Sequence, residues 1–460
     1  MAKKRVEIEE LDEDYQVIVG LDIGTTKIAT IIGHKTPDGR LEIIGYGKGD
    51  SSGIEMGTIQ NLTKTTQGIN ISKNYAIDKA GLTNIDKAIV GVAARHIKSI
   101  ERRYEIIRPN GNEIIEQREI DEMCQRLLET TGEPGQKVLT VIPQDFIVDK
   151  KDRTTDPVGC IGESLEGNFQ IIYGDEREVN KIIRCVKDAQ IETETIILEP
   201  IASGLSCLNQ TQKEEGVLLL DIGGGTSDMV IFYEGNPVFT KVIPIGGKAI
   251  TRDIATTCNI SYEMAETLKT QCGTCIVEKS NKDHHINFPV SGGDSRQISE
   301  PYLAEIIFCR INQMLQFVQQ TLQKSKYANI VKSVVITGGG AQLKHLEELC
   351  RYVFGKPTSV GYPDVGFGKN FPSELRNPIY ATGIGLLKYG FENLYTDDLE
   401  EEEPEENGDG FKEKVKSIFG KHPKENKKAS AQKWWENFLG DTTGKKYYNC
   451  TNFRCLNRKS

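Results

Sequence analysis

No run of about 18 apolar residues occurs anywhere in the 460-residue sequence, so no segment has the length to cross a bilayer as a helix. The opening stretch, MAKKRVEIEELDEDY, is charged and lacks the apolar centre of a secretory signal, which sets the expectation of a cytoplasmic chain. Cysteines number eleven, odd and scattered, which excludes a disulfide framework and reads as reduced thiols. One close pair, Cys272 and Cys275 near His284 and His285, has half the spacing of a zinc site. No second CxxC follows, so these read as unpaired thiols in a mobile loop. There is no basic excess: the net charge of −9 argues against nucleic acid as the main partner. Two phosphate motifs are also missing. The Gly20–Lys27 segment lacks the GK[ST] ending of a Walker loop, and no glycine cluster opens a helix after the first strand as GxGxxG.

What is present is a duplication. Val17–Gly20 and Ile28–Ile32 read as β-branched strands around Asp22-Ile23-Gly24-Thr25-Thr26. The same unit returns as Val217–Leu220, Asp221-Ile222-Gly223-Gly224-Gly225-Thr226 and Met229–Tyr233, with the aspartates 221 − 22 = 199 residues apart. That period is too long for a solenoid and points to a duplicated domain. The predicted organisation is a lead-in over 1–14, a first half over 15–84 and 168–215, and an inserted subdomain over 85–167. A second half follows over 216–249 and 329–394, with a second inserted subdomain over 250–328. Within the insertions, 85–100 and 138–148 read as strands, 156–167 as loop, 251–275 and 301–324 as helical, and 282–299 as turn-rich. Val334–Ile336 reads as a buried strand leading through Gly338, Gly339 and Gly340 into a helix over 342–352.

Residues 395–410 are an acidic linker, and Asp397–Glu406 alone holds eight acids. The tail reverses the sign: residues 411–460 carry thirteen Lys/Arg against four Asp/Glu, 13 − 4 = +9. Phe411, Val415, Ile418 and Phe419 share one helical face, and Trp434, Trp435, Phe438 and Leu439 make a second apolar cluster beside Lys433. Apolar residues on one face and lysines on the other fit a helix lying in a membrane interface. A partner-protein helix or a disordered basic tail would show the same composition.

A phosphate site needs backbone N–H groups at a turn close enough to reach the ligand, and glycine alone leaves that space. Gly24, Gly223, Gly224 and Gly225 supply it, Thr25, Thr26 and Thr226 add hydroxyl donors, and Lys27 adds a point charge near the terminal phosphates. Asp22 and Asp221 repel phosphate, so their expected role is to hold Mg2+ through its water shell.

These segments, VIVGLDIGTTKIATIIG, VLLLDIGGGTSDMVIFYEG, ILEPIAS, VVITGGGAQL and PIYATGIGLL, resemble in order the five motifs of the actin/Hsp70/sugar-kinase superfamily. Within it, IVGVAARHIKSIE, IPQDFIVD and DPVGCIGESLEGNFQII are similar to the inserted subdomain of the FtsA family of bacterial cell-division proteins, over about residues 15–392. The resemblance implies an α/β, duplicated actin-like (ribonuclease H-like) fold with two halves around a nucleotide cleft and two inserted subdomains, 1C and 2B. It implies ATP with Mg2+, with Gly338, Gly339 and Gly340 against the adenosine. Glu199 would orient water or magnesium, or serve only as a cap ahead of Pro200, with hydrolysis slow or absent. It further implies filament formation, downstream division partners, and a place on the cytoplasmic face of the inner membrane at the division site. The FtsZ C-terminal peptide would dock on 2B near Arg296, Glu305 and Arg310, residues that otherwise read as a helix's solvated face. The family's membrane helix sits close to the C-terminus, whereas here about twenty polar residues follow Leu439. An actin-like filament protein of the MreB or pilus-assembly kind, or a sugar kinase, would share the turns.

Overall fold

The computed structural model describes residues 17–36, 39–130, 134–289, 295–367 and 371–393. Duplication is visible in the sheets. In the first, Leu41–Asp50, Lys27–Lys35 and Val17–Ile23 run antiparallel, and Lys87–Val92 and Glu192–Leu198 then continue parallel to Val17–Ile23. The second repeats this order with Asn236–Ile243, Ser227–Tyr233, Val217–Ile222, Ser333–Thr337 and Thr358–Val360. The hairpin strands are buried almost throughout, because helices cover both faces and every position must be apolar or small. Helix Leu62–Ala80 lies so close to Leu41–Asp50 that a Cβ at Gly47 would collide with the Ser72 carbonyl. Helices Glu199–Cys207 and Ala381–Asn393 pack between the halves, where a Cβ at Gly385 would collide with the Ala202 backbone.

The first insertion is a four-stranded antiparallel sheet in the order Lys98–Ile107, Ser164–Asp175, Gln136–Val148 and Asp152–Thr154, backed by helix Gln117–Leu128. Its boundaries differ from those expected at 85 and 167. Lys87–Val92 is a buried strand of the first sheet, held between two parallel neighbours. At the other end, residues 164–167 of the expected loop open a twelve-residue strand, Ser164–Asp175, that pairs on both edges. Gly167 and the buried Gln170 interrupt its apolar alternation and hid it from the sequence pattern.

In the second insertion the expected helix over 251–275 is three pieces. Helix Gly247–Cys258 ends on Asn259 in the left-handed region (φ 51°), Tyr262–Thr267 follows, and Leu268–Cys272 forms a single π turn. Cys272 closes that turn and Cys275 is buried with its thiol donating to the Lys344 carbonyl at 3.2 Å, so the pair does not sit in a loose loop. The turn-rich stretch 282–299 contains a hairpin, His285–Pro289 with Ser295–Ser299, whose Ile286, Phe288 and Ile298 face the core. Helix Glu300–Lys324 runs 25 residues behind it, capped by Ser299 and opened by Pro301. After Ser333–Thr337 the chain makes a 3-10 turn at Gly339–Gln342, and the α-helix begins only at Leu346. The three glycines therefore face a tight turn instead of an α-helix N-terminus.

Candidate nucleotide site

Both hairpins turn in the same way. Ile23 pairs with Ile28 and Ile222 with Ser227, leaving four turn residues in each. The two turns point at each other across a cavity of about 540 Å³. Glycine is required where they meet: a Cβ at Gly224 would collide with Thr26 Oγ1, and one at Gly225 would fall 2.6 Å from Thr25 Oγ1. Asp22, Gly24, Thr25, Thr26, Lys27, Asp221, Gly223, Gly224 and Thr226 line this cavity together with Gly338, Gly339 and Gly340. Gly225 packs instead against Thr25 and Met56. Gly338 has φ +79°, and a Cβ there would collide with Asp221 Oδ1, so this position admits glycine alone.

The carboxylates Asp22, Glu199, Asp221 and Asp228 gather at the turns, while Lys48, Lys248, Lys269, Lys344 and Arg310 line the rest of the wall. Lys27 is ion-paired with Asp22, which is buried, so the lysine expected to meet phosphate is engaged by the first turn's own aspartate. Ser203 donates its hydroxyl to Asp221 Oδ2 at 2.6 Å. Glu199 opens its helix directly after strand Glu192–Leu198 and faces the same cavity. Burial, then Asp22, Asp228 and Asp221, push the Glu199 carboxyl well above the usual range. Burial raises Asp221 to about 6 against the opposing Ser203 hydrogen bond.

Asp228 was missed by the sequence reading. It is 3% exposed, lines the cavity, and is pushed well above the ordinary carboxylate range by burial and by Asp221. Thr226 donates to its Oδ2 at 3.0 Å, while its Oδ1 is buried with no hydrogen-bond partner. Lys248 was also missed. Its Nζ donates to the Thr25 carbonyl at 2.9 Å, and the backbone N–H groups of Gly247 and Lys248 donate to the Gly223 and Gly224 carbonyls at 2.9 and 2.8 Å. The helix that begins there thus braces the second turn while its lysine reaches the first. The π turn places Lys269 on the cavity wall, bonded to Glu266 at 2.7 Å and Thr251 at 2.8 Å.

Glycine turns with no side chain in the way, a wall carrying several lysines and one unpaired buried carboxylate oxygen fit a phosphate chain accompanied by a cation. Among the described residues, no group of three or more His, Cys, Asp and Glu side chains is placed to hold a metal directly, so the fit is to an ion that keeps water and phosphate ligands.

The family model for cell division protein FtsA matches residues 218–385, and the model for the SHS2 domain inserted in FtsA matches residues 94–173. The cell division protein FtsA of Pseudomonas aeruginosa is 34% identical over 82% of this chain and 90% of its own length. That of Bacillus subtilis is 31% identical over 82% of this chain and 84% of its own.

The chain belongs to the FtsA family.

The SHS2 match coincides with the inserted sheet, which runs from Lys98 to Asp175. Among solved structures, the PilM–PilN type IV pilus biogenesis complex aligns with a TM-score of 0.60 at 16% identity, over 81% of this chain and 98% of that one. MreB 5 of Spiroplasma citri bound to AMPPNP aligns with a TM-score of 0.50 at 14% identity, over 81% and 96%. These likenesses show the duplicated actin-like fold.

The three residues expected to meet FtsZ in this FtsA-family chain are not one cluster. Arg296 is exposed on the hairpin, its Nη1 donating to the Cys258 carbonyl at 3.5 Å, and Glu305 is half-buried on the long helix. Arg310 lies five residues further, about 140° around that helix. It forks onto Asp253 at 2.6 and 2.9 Å, donates to Gln313 at 2.6 Å, and lines the nucleotide cavity. Arg310 therefore belongs to the cleft wall rather than to a face shared with Glu305. The expected membrane residues, Phe411, Val415, Ile418, Phe419, Trp434, Trp435, Phe438 and Leu439, lie outside the described residues. Among the described residues no helix is long and apolar enough to cross a membrane.

Proposed function

We propose that this protein is a nucleotide-gated membrane adaptor for cell division, which binds ATP with Mg2+, assembles into filaments and tethers FtsZ to the cytoplasmic face of the inner membrane. The observation that carries the nucleotide part is the meeting of two glycine turns and Gly338–Gly340 around one cavity. Membership of the FtsA family supports the role in division, and the basic, aromatic tail supports the membrane contact.

In this reading, backbone N–H groups of the two turns cradle the phosphates, and the glycines at 338–340 admit the nucleoside. Asp22 and Asp221 face the hydrated Mg2+, which would neutralise phosphate charge. Glu199, at a helix start beside these acids, whose charge and its own burial raise its carboxyl, orients water, and turnover is slow. ATP then sets the contact between protomers more than it drives a cycle. Either amphipathic tail segment alone binds weakly, and a filament multiplies such contacts. Division partners downstream of FtsZ would join the assembled form.

The test is co-sedimentation of the full chain with FtsZ and anionic liposomes, with and without ATP. FtsZ should reach the liposomes only when this protein is present, and a chain lacking 411–460 should stay in solution with FtsZ. Pelleting by the truncated chain would end the anchoring role. Phosphorylation of a sugar by the full chain would replace the adaptor with a kinase.

A further inference from the structure

The two turns are copies offset by 199 residues, which permits a position-by-position comparison of how each balances its charge. Asp22 corresponds to Asp221 (221 − 22 = 199), and each is the last residue but one of the first strand of its hairpin. Five and seven residues on, the copies differ in charge. Where the first turn has Lys27 the second has Thr226 (226 − 27 = 199), and where the first has Ala29 the second has Asp228 (228 − 29 = 199). The registers agree: Asp22 stands opposite Ala29, and Asp221 stands opposite Asp228.

The first turn therefore holds one carboxylate and its own cation, since Lys27 pairs with Asp22. The second holds two carboxylates directly across a strand pair, an arrangement that destabilises a sheet, and has no cation of its own at the matching position. Nor does Thr226 relieve it as a lysine would. Its single hydroxyl proton goes to Asp228 Oδ2 at 3.0 Å, so the side chains of the second turn offer the cavity lone pairs in place of the hydroxyl donor expected from the sequence. Ser203 satisfies Asp221 Oδ2 from the far side. What is left over is Asp228 Oδ1, on a side chain 3% exposed, facing the cavity with no partner. A buried carboxylate oxygen in that position is costly unless a positive group arrives with the ligand.

We infer that Asp228, set opposite Asp221, is the positioning residue for the cation that accompanies the nucleotide, and that this cation supplies to the second turn the charge that Lys27 supplies to the first. The assignment rests on the nucleotide reading of the cleft and moves the weight of cation binding from Asp22, which Lys27 already neutralises, to the Asp221–Asp228 pair. Asp228 acts on the phosphates through the ion and its water shell, so it governs how nucleotide affinity depends on the ion rather than whether the glycine turns can bind phosphate at all.

The experiment is titration of the full-length protein with a fluorescent ATP analogue across a Mg2+ series and in EDTA. It compares the wild type with Asp228→Asn and with Thr226→Lys, which grafts the first turn's cation onto the second. Wild-type affinity should fall at least about tenfold on removal of Mg2+, the scale of one unscreened charge in a partly desolvated site. Asp228→Asn should lose less than about threefold, and Thr226→Lys should bind the analogue in EDTA more tightly than the wild type does. Cooperative thermal unfolding of each variant checks that it is folded, and the lysine graft tests the same point independently if the amide variant is not. Full Mg2+ dependence retained in Asp228→Asn, or wild-type binding indifferent to Mg2+, would overturn the assignment. Absence of analogue binding by the wild type under every condition would remove the nucleotide reading itself, a different failure with a different signature.

Discussion

The inserted sheet and the nucleotide cleft each bury charge, and they treat it in opposite ways. In the sheet, Arg108 is 7% exposed and fully engaged. It forks onto Glu119 at 2.7 and 3.1 Å and donates to the carbonyls of Glu113, Gly162 and Ile114 at 2.7–2.9 Å. The guanidinium thereby ties helix Gln117–Leu128 to the loops beside it, and Glu119 completes a capping box with Glu116. In the cleft, Glu199, Asp221 and Asp228 crowd together, Lys27 beside them is already paired with Asp22, and one oxygen has no partner. Satisfied charge stabilises a structure at rest, whereas unsatisfied charge that persists in a buried cavity marks where a ligand completes the site.

The largest test of this contrast is Arg108→Met. Leaving Glu119 and three carbonyls without their partner should cost about 3–5 kcal/mol, read from the denaturation midpoint. An unchanged midpoint would remove the structural role assigned to the pair. Gly338→Ala comes next, since it forces a left-handed backbone on alanine and drives a Cβ against Asp221. It should cost about 2–3 kcal/mol in thermal unfolding and abolish binding of the ATP analogue.

Acid should then separate the two regions by sign. In the nucleotide-free, metal-free protein the Asp221 carboxyl sits at about 6, above its ordinary value of 3.8, so the folded state holds a proton that the unfolded chain gives up. Its penalty is full above pH 6 and shrinks as pH falls toward 3.8, so lowering pH from 7 to 5 should add about 1 kcal/mol. Glu119 runs the other way. The Arg108 hydrogen bond holds it below its ordinary 4.5, so its contribution is complete above that value and disappears as pH drops through the folded-state pKa. Denaturation curves for wild type and Glu119→Gln between pH 3 and 7 would show whether the two arms diverge.

The smallest effect belongs to the surface, where Lys326 and Glu101 join the second insertion to the inserted sheet at 2.7 Å, both about three-fifths exposed. Lys326→Glu should cost less than about 1 kcal/mol by denaturation, and a larger loss would mean that this contact carries more than an exposed pair can.

The duplicated turns were legible because the residues that make them, aspartate, glycine and threonine between β-branched runs, recur in both copies. Asp228 was not, because it stands where the first copy has Ala29, and matching like positions passes over a difference. Its meaning appears only in the strand register that sets it against Asp221. Arg310 misled for a related reason: an arginine on a helix looks solvent-facing until Asp253, 57 residues away, is seen to hold it. The insertion boundaries failed at Lys87–Val92, whose neighbours lie far off in sequence, since parallel partners leave no local turn to read.

The helix Glu300–Lys324 spans about 37 Å without a break. Near its start it carries Glu305, at its middle Arg310, Ile311 and Met314 form cleft wall, and just past its end Lys326 and Tyr327 reach Glu101 of the inserted sheet. The cleft wall and a contact to the inserted sheet 225 residues away in the chain thus share one rod, and a rod transmits tilt and translation where a loop would absorb them.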